Sequence, residues 1–151
     1  MGYAESARAL YQVPLAEFVA ERKRLSDELR ADGEKKLAAK LKSLPRPSVS
    51  AWVTNQLYWH ARDVYDDLLA TAEQIRTGDL GATAAHRDAI AQLRQRASAM
   101  LTDAGHAATS ATLHKVTTNL AAIAALAGFF PDDPGQMTAD RAAPGFDAKP
   151  P

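Results

Sequence analysis

Cysteine is absent from the chain of 151 residues, which excludes disulfides, thiolate catalysis and zinc sites built on cysteine. Long apolar runs are absent too. The most apolar stretch, Leu120 to Phe130, is about half the roughly 20 residues that a membrane-crossing helix needs, and Gly128 and Pro131 terminate it. It is expected to be a buried helix, with no membrane as partner. The start, MGYAESARALYQVPLAEF, lacks the basic and then apolar pattern of a secretory signal, so a cytoplasmic address is expected. Strand signals are missing as well: β-branched residues are scattered, alternation is absent, and no Asn-Gly or Asp-Gly turn occurs. Catalysis leaves no signature either, since G-x-S-x-G, S-x-x-K and H-E-x-x-H do not occur and the glycines never gather into a phosphate-cradling loop. The chain is therefore expected to be non-enzymatic and to need no cofactor.

What is present is helical periodicity. Pro14 stands where a helix can open, and Leu15, Phe18, Arg22, Leu25 and Leu29 then recur at steps of three and four until Gly33 offers a left-handed end. A second helix is expected over Glu34 to Ser43, with Leu37 and Leu41 inward and its lysines outward. It must stop at the corner Leu44-Pro45-Arg46-Pro47, because a residue before proline is pushed out of helical dihedrals. Ser48 then suits the N-cap of a long third helix. Its stripe of Val49, Val53, Leu57, Ala61, Val64, Leu68, Ala72 and Ile75 runs unbroken to Gly78 and is expected to be the spine of the fold. A fourth helix should run from about Ala82 to Ala104. The fifth should start after a Thr109 or Ser110 cap, carry a stripe of Leu113, Val116, Leu120, Ile123 and Ala127, and end at Gly128. The expectation is thus an all-α single-domain bundle of about five helices over residues 1–128. An irregular tail rich in proline and glycine would follow over 129–151, with Phe129, Phe130 and Phe146 as possible anchors.

The charges are unevenly placed although the formal net charge is zero. No acid occurs between Glu34 and Asp63, an interval that holds Lys35, Lys36, Lys40, Lys42, Arg46 and Arg62. A local positive field attracts polyanions even on a neutral molecule. The segment from Lys35 to Leu57 can be laid on a helix-turn-helix, with Ala39 at the small position, Leu44 in the turn, and Val49 and Trp52 as anchors of the second helix. That helix would offer Ser48, Ser50, Ala51, Thr54 and Asn55 to DNA, Asn55 pairing with adenine, while Lys35, Lys36, Lys40, Lys42 and Arg46 neutralise phosphates of DNA or RNA. Two prolines in the corner, and Ser43 where glycine is usual, depart from that motif. A merely solvated basic face is the plain alternative.

The aromatics supply a reading of another class. Trp52 and Trp59, and likewise Tyr58 and Tyr65, lie seven residues apart on the expected spine. They either pack against neighbouring helices or anchor a protein partner, a second copy included. His60, Asp63 and Asp67 share one helical face with Asp66 beside them, but a metal there would need His86, His106 or His114 to complete it, and a solvated face is the simpler reading.

Four segments carry a resemblance: LYQVPLAEFVAERKRL at 10–25, LAAKLKSLPRPSVSAWVTNQL at 37–57, LTDAGHAATSATLHKV at 101–116 and PGFD at 144–147. Together they resemble an uncharacterised, largely actinobacterial family of helical bacterial proteins. Arg46, Pro47, Ser48, Ala51, Trp52 and Asn55 are the most specific part of the likeness. It implies a helical fold and a bacterial origin, and it carries over no activity, ligand or site residue.

Overall fold

Seven α-helices make up the fold among the residues described, 2–144, of the computed structural model, and no strand occurs among them. They are α1 (Tyr3–Leu10), α2 (Phe18–Ala31), α3 (Lys35–Lys42), α4 (Val49–His60), α5 (Arg62–Arg76), α6 (Thr83–Asp103) and α7 (Ser110–Leu126), with 3-10 turns at Leu15–Glu17 and Leu80–Ala82. None of these helices is long and apolar enough to cross a membrane. The all-helical class is as the periodicity predicts. The number differs from five at two places.

First, α1 lies in the stretch before Pro14. It has only two turns and holds its place by burying Ala7 and Leu10, since a helix this short gains its stability from packing and not from propensity. Pro14 itself caps the 3-10 turn, and α2 starts at Phe18. Second, the expected spine is two helices. Ala61 leaves helical dihedrals (φ −130°, ψ 41°) and serves as both the C-cap of α4 and the N-cap of α5. No glycine or proline marks the break. The stripe runs across it undisturbed, because Val53, Leu57, Ala61, Val64 and Leu68 all enter the same core.

The expected ends elsewhere agree with the structure. Gly33 has φ 83°, and the N–H of Glu34 donates to the carbonyl of Leu29 at 2.9 Å, which closes α2 in a left-handed turn. Ser48 caps α4 by accepting from the N–H of Ala51 at 3.1 Å, and Thr109 caps α7 by accepting from Thr112 at 3.1 Å.

The apolar side chains fall into separate clusters. Ala7, Leu10, Tyr11, Phe18, Leu25, Leu29, Ala38 and Leu41 form the core of a three-helix unit, α1 to α3. Trp52, Leu57, Leu68, Leu93, Leu101, Val116 and Leu120 belong to a second core built by α4 to α7. Leu15 crosses into that second core, and Trp52 Nε1 donates to Val13 O (2.9 Å) and Gln56 Nε2 to Tyr11 O (2.8 Å), tying the link between α1 and α2 to α4. Arg22, the one charged member of the α2 stripe, stands over the Phe18 ring and donates through Nη1 to Leu44 O at 2.6 Å. It thereby fixes the start of the proline corner.

After α7, residues 127–144 form a strap without regular structure that crosses α4 and α7. Phe129 and Met137 plug it into a third cluster with Ala51, Tyr65 and Ile123. The end of the expected tail, including Phe146 and the last three residues of the PGFD segment, lies outside the described residues.

Candidate nucleic-acid interface

α3 exists because one face of a short, lysine-rich segment is apolar. Ala38 and Leu41 are fully buried against α2 and α1, and Ser26 of α2 donates to the Ala38 carbonyl at 2.8 Å within that contact. With Ala38 and Leu41 turned inward, Lys35, Lys36, Lys40 and Lys42 point outward, and all four are exposed. Arg46, exposed on the proline corner, continues the row. Lys40 places its ammonium 4.7 Å from the centre of the Tyr3 ring. None of these five cations is ion-paired among the described residues.

Neighbouring α2 shows the opposite arrangement. Lys23 is paired with Asp27 at 2.9 Å, and Arg24 bridges Glu21 and Glu28. The hydrogen bond from Lys23 holds the Asp27 carboxyl below its ordinary range, with Arg30 and Lys42 adding to the effect. Lys23 and Arg24 of α2 are answered by acids one turn away, whereas the exposed lysines of α3 have no ion-pair partner among the described residues.

The second half of the expected motif is placed differently. Ser50, Ala51, Thr54 and Asn55 are buried, Asn55 to 0% exposure, so none of them can meet a base edge. The strap covers them. The Asn55 amide pairs with the backbone of Met137 in both directions, donating to its carbonyl at 2.8 Å and accepting from its N–H at 2.8 Å. Ser50 Oγ donates to the Asp140 carboxylate at 2.7 Å, Ser48 Oγ reaches the same carboxylate at 3.2 Å, and Thr54 Oγ1 turns back to Ser50 O at 2.7 Å. Ser48 alone of this set keeps solvent exposure, and its hydroxyl is already engaged as cap.

The helix-turn-helix arrangement is therefore corrected on two counts. The expected recognition face is covered. Moreover, Leu44 packs with the α1–α3 cluster while Val49 and Trp52 pack with the α4–α7 core, so the two helices beside the corner do not share the hydrophobic interface that such a motif requires. Ala39, placed at the small inward position, is exposed, and Ala38 is the buried one.

The aromatics are also largely committed inside the chain. Trp52 is buried, with its ring 5.6 Å from His106. Tyr65 is buried at 4% exposure, and burial, with Tyr58 beside it, pushes its phenol up to about 12. Tyr58 and Trp59 are half-buried. Tyr58 meets Trp59, Tyr65 and Phe129 edge-on at 4.9, 5.2 and 5.5 Å, and Arg62 covers it at 4.1 Å. Trp59 Nε1 donates to Gly135 O at 3.1 Å. Tyr58, Trp59 and Tyr65 grip the strap, and Trp52 is held by Val13 and His106.

The histidines are scattered. His86 shares a hydrogen bond of 2.9 Å with Thr71, His106 sits on Trp52, and Asp63 pairs with Arg96 at 3.2 Å, so no three metal-binding side chains converge among the described residues.

Sequence reasoning did not single out Asn119, Met137, Asp140 and Arg141. Asn119 is fully buried in α7, donates to Asp140 at 2.9 Å and accepts from the Arg141 N–H at 2.7 Å. An asparagine inside an otherwise apolar stripe was the available signal, because a buried amide must find partners. No family model, curated protein or solved structure matches the chain. The functional reading rests on the geometry.

Proposed function

We propose that the chain binds nucleic acid through phosphate contacts from Lys35, Lys36, Lys40, Lys42 and Arg46, and that α4 takes no part in reading bases. One observation supports this reading: five exposed cations within a single short helix and its rigid corner, none of them ion-paired among the described residues, beside a helix in which Lys23 and Arg24 are ion-paired. A surface of that kind holds condensed phosphates by releasing their counterions, and it discriminates little among sequences. The same reading makes the chain a cytoplasmic binding protein, not an enzyme.

Titration with random-sequence duplex DNA and with single-stranded RNA tests it. Five phosphate contacts give a slope of about −4.5 for log affinity against log salt on duplex DNA. Replacing Lys36, Lys40 and Lys42 by alanine should flatten that slope by about 2.7. Binding weaker than about 100 μM to both nucleic acids at about 50 mM salt, the weak end of non-specific affinity, ends this reading. The basic row would then be a solvated face.

A further inference from the structure

The strap of residues 127–144 is held against α4 and α7. Between Gly135 and Arg141 most of its bonds to the helices use the strap's main chain. Gly135 O accepts from Trp59, Met137 N–H and O both pair with Asn55, Thr138 O accepts from the Ser48 N–H at 3.2 Å, and Arg141 N–H donates to Asn119. Only two side chains in this stretch are specified by the helices. Met137 is fully buried beside Ala51 and Ile123, and the Asp140 carboxylate receives Ser48, Ser50 and Asn119. A side-chain amide that pairs with both the N–H and the C=O of one residue recognises extended backbone without regard to its side chain, and two sockets three positions apart supply the selectivity.

The helix side chains involved would lose most of their partners if the strap left. Asn55 would lose both of its hydrogen bonds to Met137, Ser50 would lose the Asp140 carboxylate, and Asn119 would keep only Thr54 Oγ1 at 3.2 Å. With the strap in place, every buried polar side chain among the described residues is satisfied. Arg141 also turns its guanidinium onto Phe129 O at 3.1 Å and onto Asp132, so the strap closes its own two ends together.

We propose that the groove between α4 and α7 is a recognition site for an extended peptide of a partner protein, with an apolar residue followed three positions later by aspartate, and that residues 135–141 are its resident ligand in cis. Because a tethered ligand competes at high effective concentration, the site is open to a partner only when the resident is weakened or displaced.

The test uses the full chain carrying Met137→Ala and Asp140→Ala, and a fluorescent peptide with the sequence of residues 133–144. Fluorescence anisotropy should show the peptide binding the variant roughly tenfold or more tightly than the unsubstituted chain. Alanine at the aspartate of the peptide should weaken that binding by roughly tenfold or more, the loss that hydrogen bonds to a charged group produce. Equal affinity for both chains, or for both peptides, overturns the proposal. Should the double variant lose its helical circular dichroism, the same comparison is made on Asp140→Asn, where absence of discrimination counts equally against it. A concentration-dependent dimer of the unsubstituted chain that Asp140→Asn abolishes would overturn the choice of occupant, because a second copy's strap would then fill the groove.

Discussion

The two helices on either side of the proline corner treat their polar residues in opposite ways. α3 buries a narrow apolar face and leaves its four lysines exposed, with no ion pair among the described residues. α4 buries almost everything it has: Ser50 through Leu57 are all inside, the four polar residues among them included. The difference follows from what lies on the outer side of each helix. α3 is at the edge of a three-helix unit with solvent beyond it, while α4 sits between the other bundle helices and the strap, which supplies partners for Ser50 and Asn55. Polar character on a helix face thus means solvent in one case and a hidden polar interface in the other.

The largest effects of substitution should lie on the inward face of α4 and the helix after it. Leu57→Ala or Leu68→Ala, both at 0% exposure, should each cost about 2 to 5 kcal/mol as core truncations do, read from denaturant midpoints. A loss under about half a kcal/mol at both sites would mean that this face is not buried.

Asn55→Ala sharpens the contrast on the polar side of α4. It leaves the N–H and C=O of buried Met137 without partners, and about 2 to 4 kcal/mol should be lost. A neutral outcome would return α4 to the class of solvated faces. Gly135→Ala tests the strap from the other side. Gly135 has φ 71°, and a Cβ there would stand 2.5 Å from Trp59 Nε1. A destabilisation of about 1 to 3 kcal/mol is expected, with a change in tryptophan emission as Trp59 moves away from the strap.

The tyrosines add a pH test of the same burial. Burial raises Tyr65 to about 12 and raises Tyr11 as well, so the folded chain keeps phenol protons that the unfolded chain releases near the ordinary value of about 10. The stability this contributes is fully present below about pH 10 and is lost as pH rises through about 12. Denaturant midpoints in alkaline buffers should fall across that window, and a flat profile would contradict the burial. The smallest effect belongs to α3: Lys36→Ala or Lys42→Ala should change stability by no more than about 0.5 kcal/mol, as expected for an exposed unpaired side chain.

Much of this arrangement was legible in the sequence wherever a helical stripe or a cap carried it. Gly33, Ser48 and Thr109 mark helix ends by local chemistry, and the stripe from Val49 to Ala72 does enter the cores. The break at Ala61 was not legible, because no breaker residue stands there and the apolar period continues through it. α1 was hidden by its length. The site was half legible. Lysines are outward on any short helix with an apolar face, but Ser50, Thr54 and Asn55 read the same whether water or a distant segment covers them. Their partners lie far off in sequence: Asn55 to Met137 spans 82 positions and Ser50 to Asp140 spans 90. Local periodicity cannot see such pairs. Only Asn119, polar in the middle of the α7 stripe, pointed to a buried network.

The most direct test of the contrast between α3 and α4 is to follow backbone and side-chain amide resonances of the intact chain during titration with random-sequence duplex DNA. The account predicts progressive shifts confined to Lys35 through Arg46 and their immediate neighbours, while the amides of Ser50, Thr54 and Asn55 and the side-chain amide of Asn55 keep their positions. Shifts at Asn55 together with loss of the protected Met137 amide would contradict it, because the strap would then be leaving and α4 would be the helix that meets the DNA.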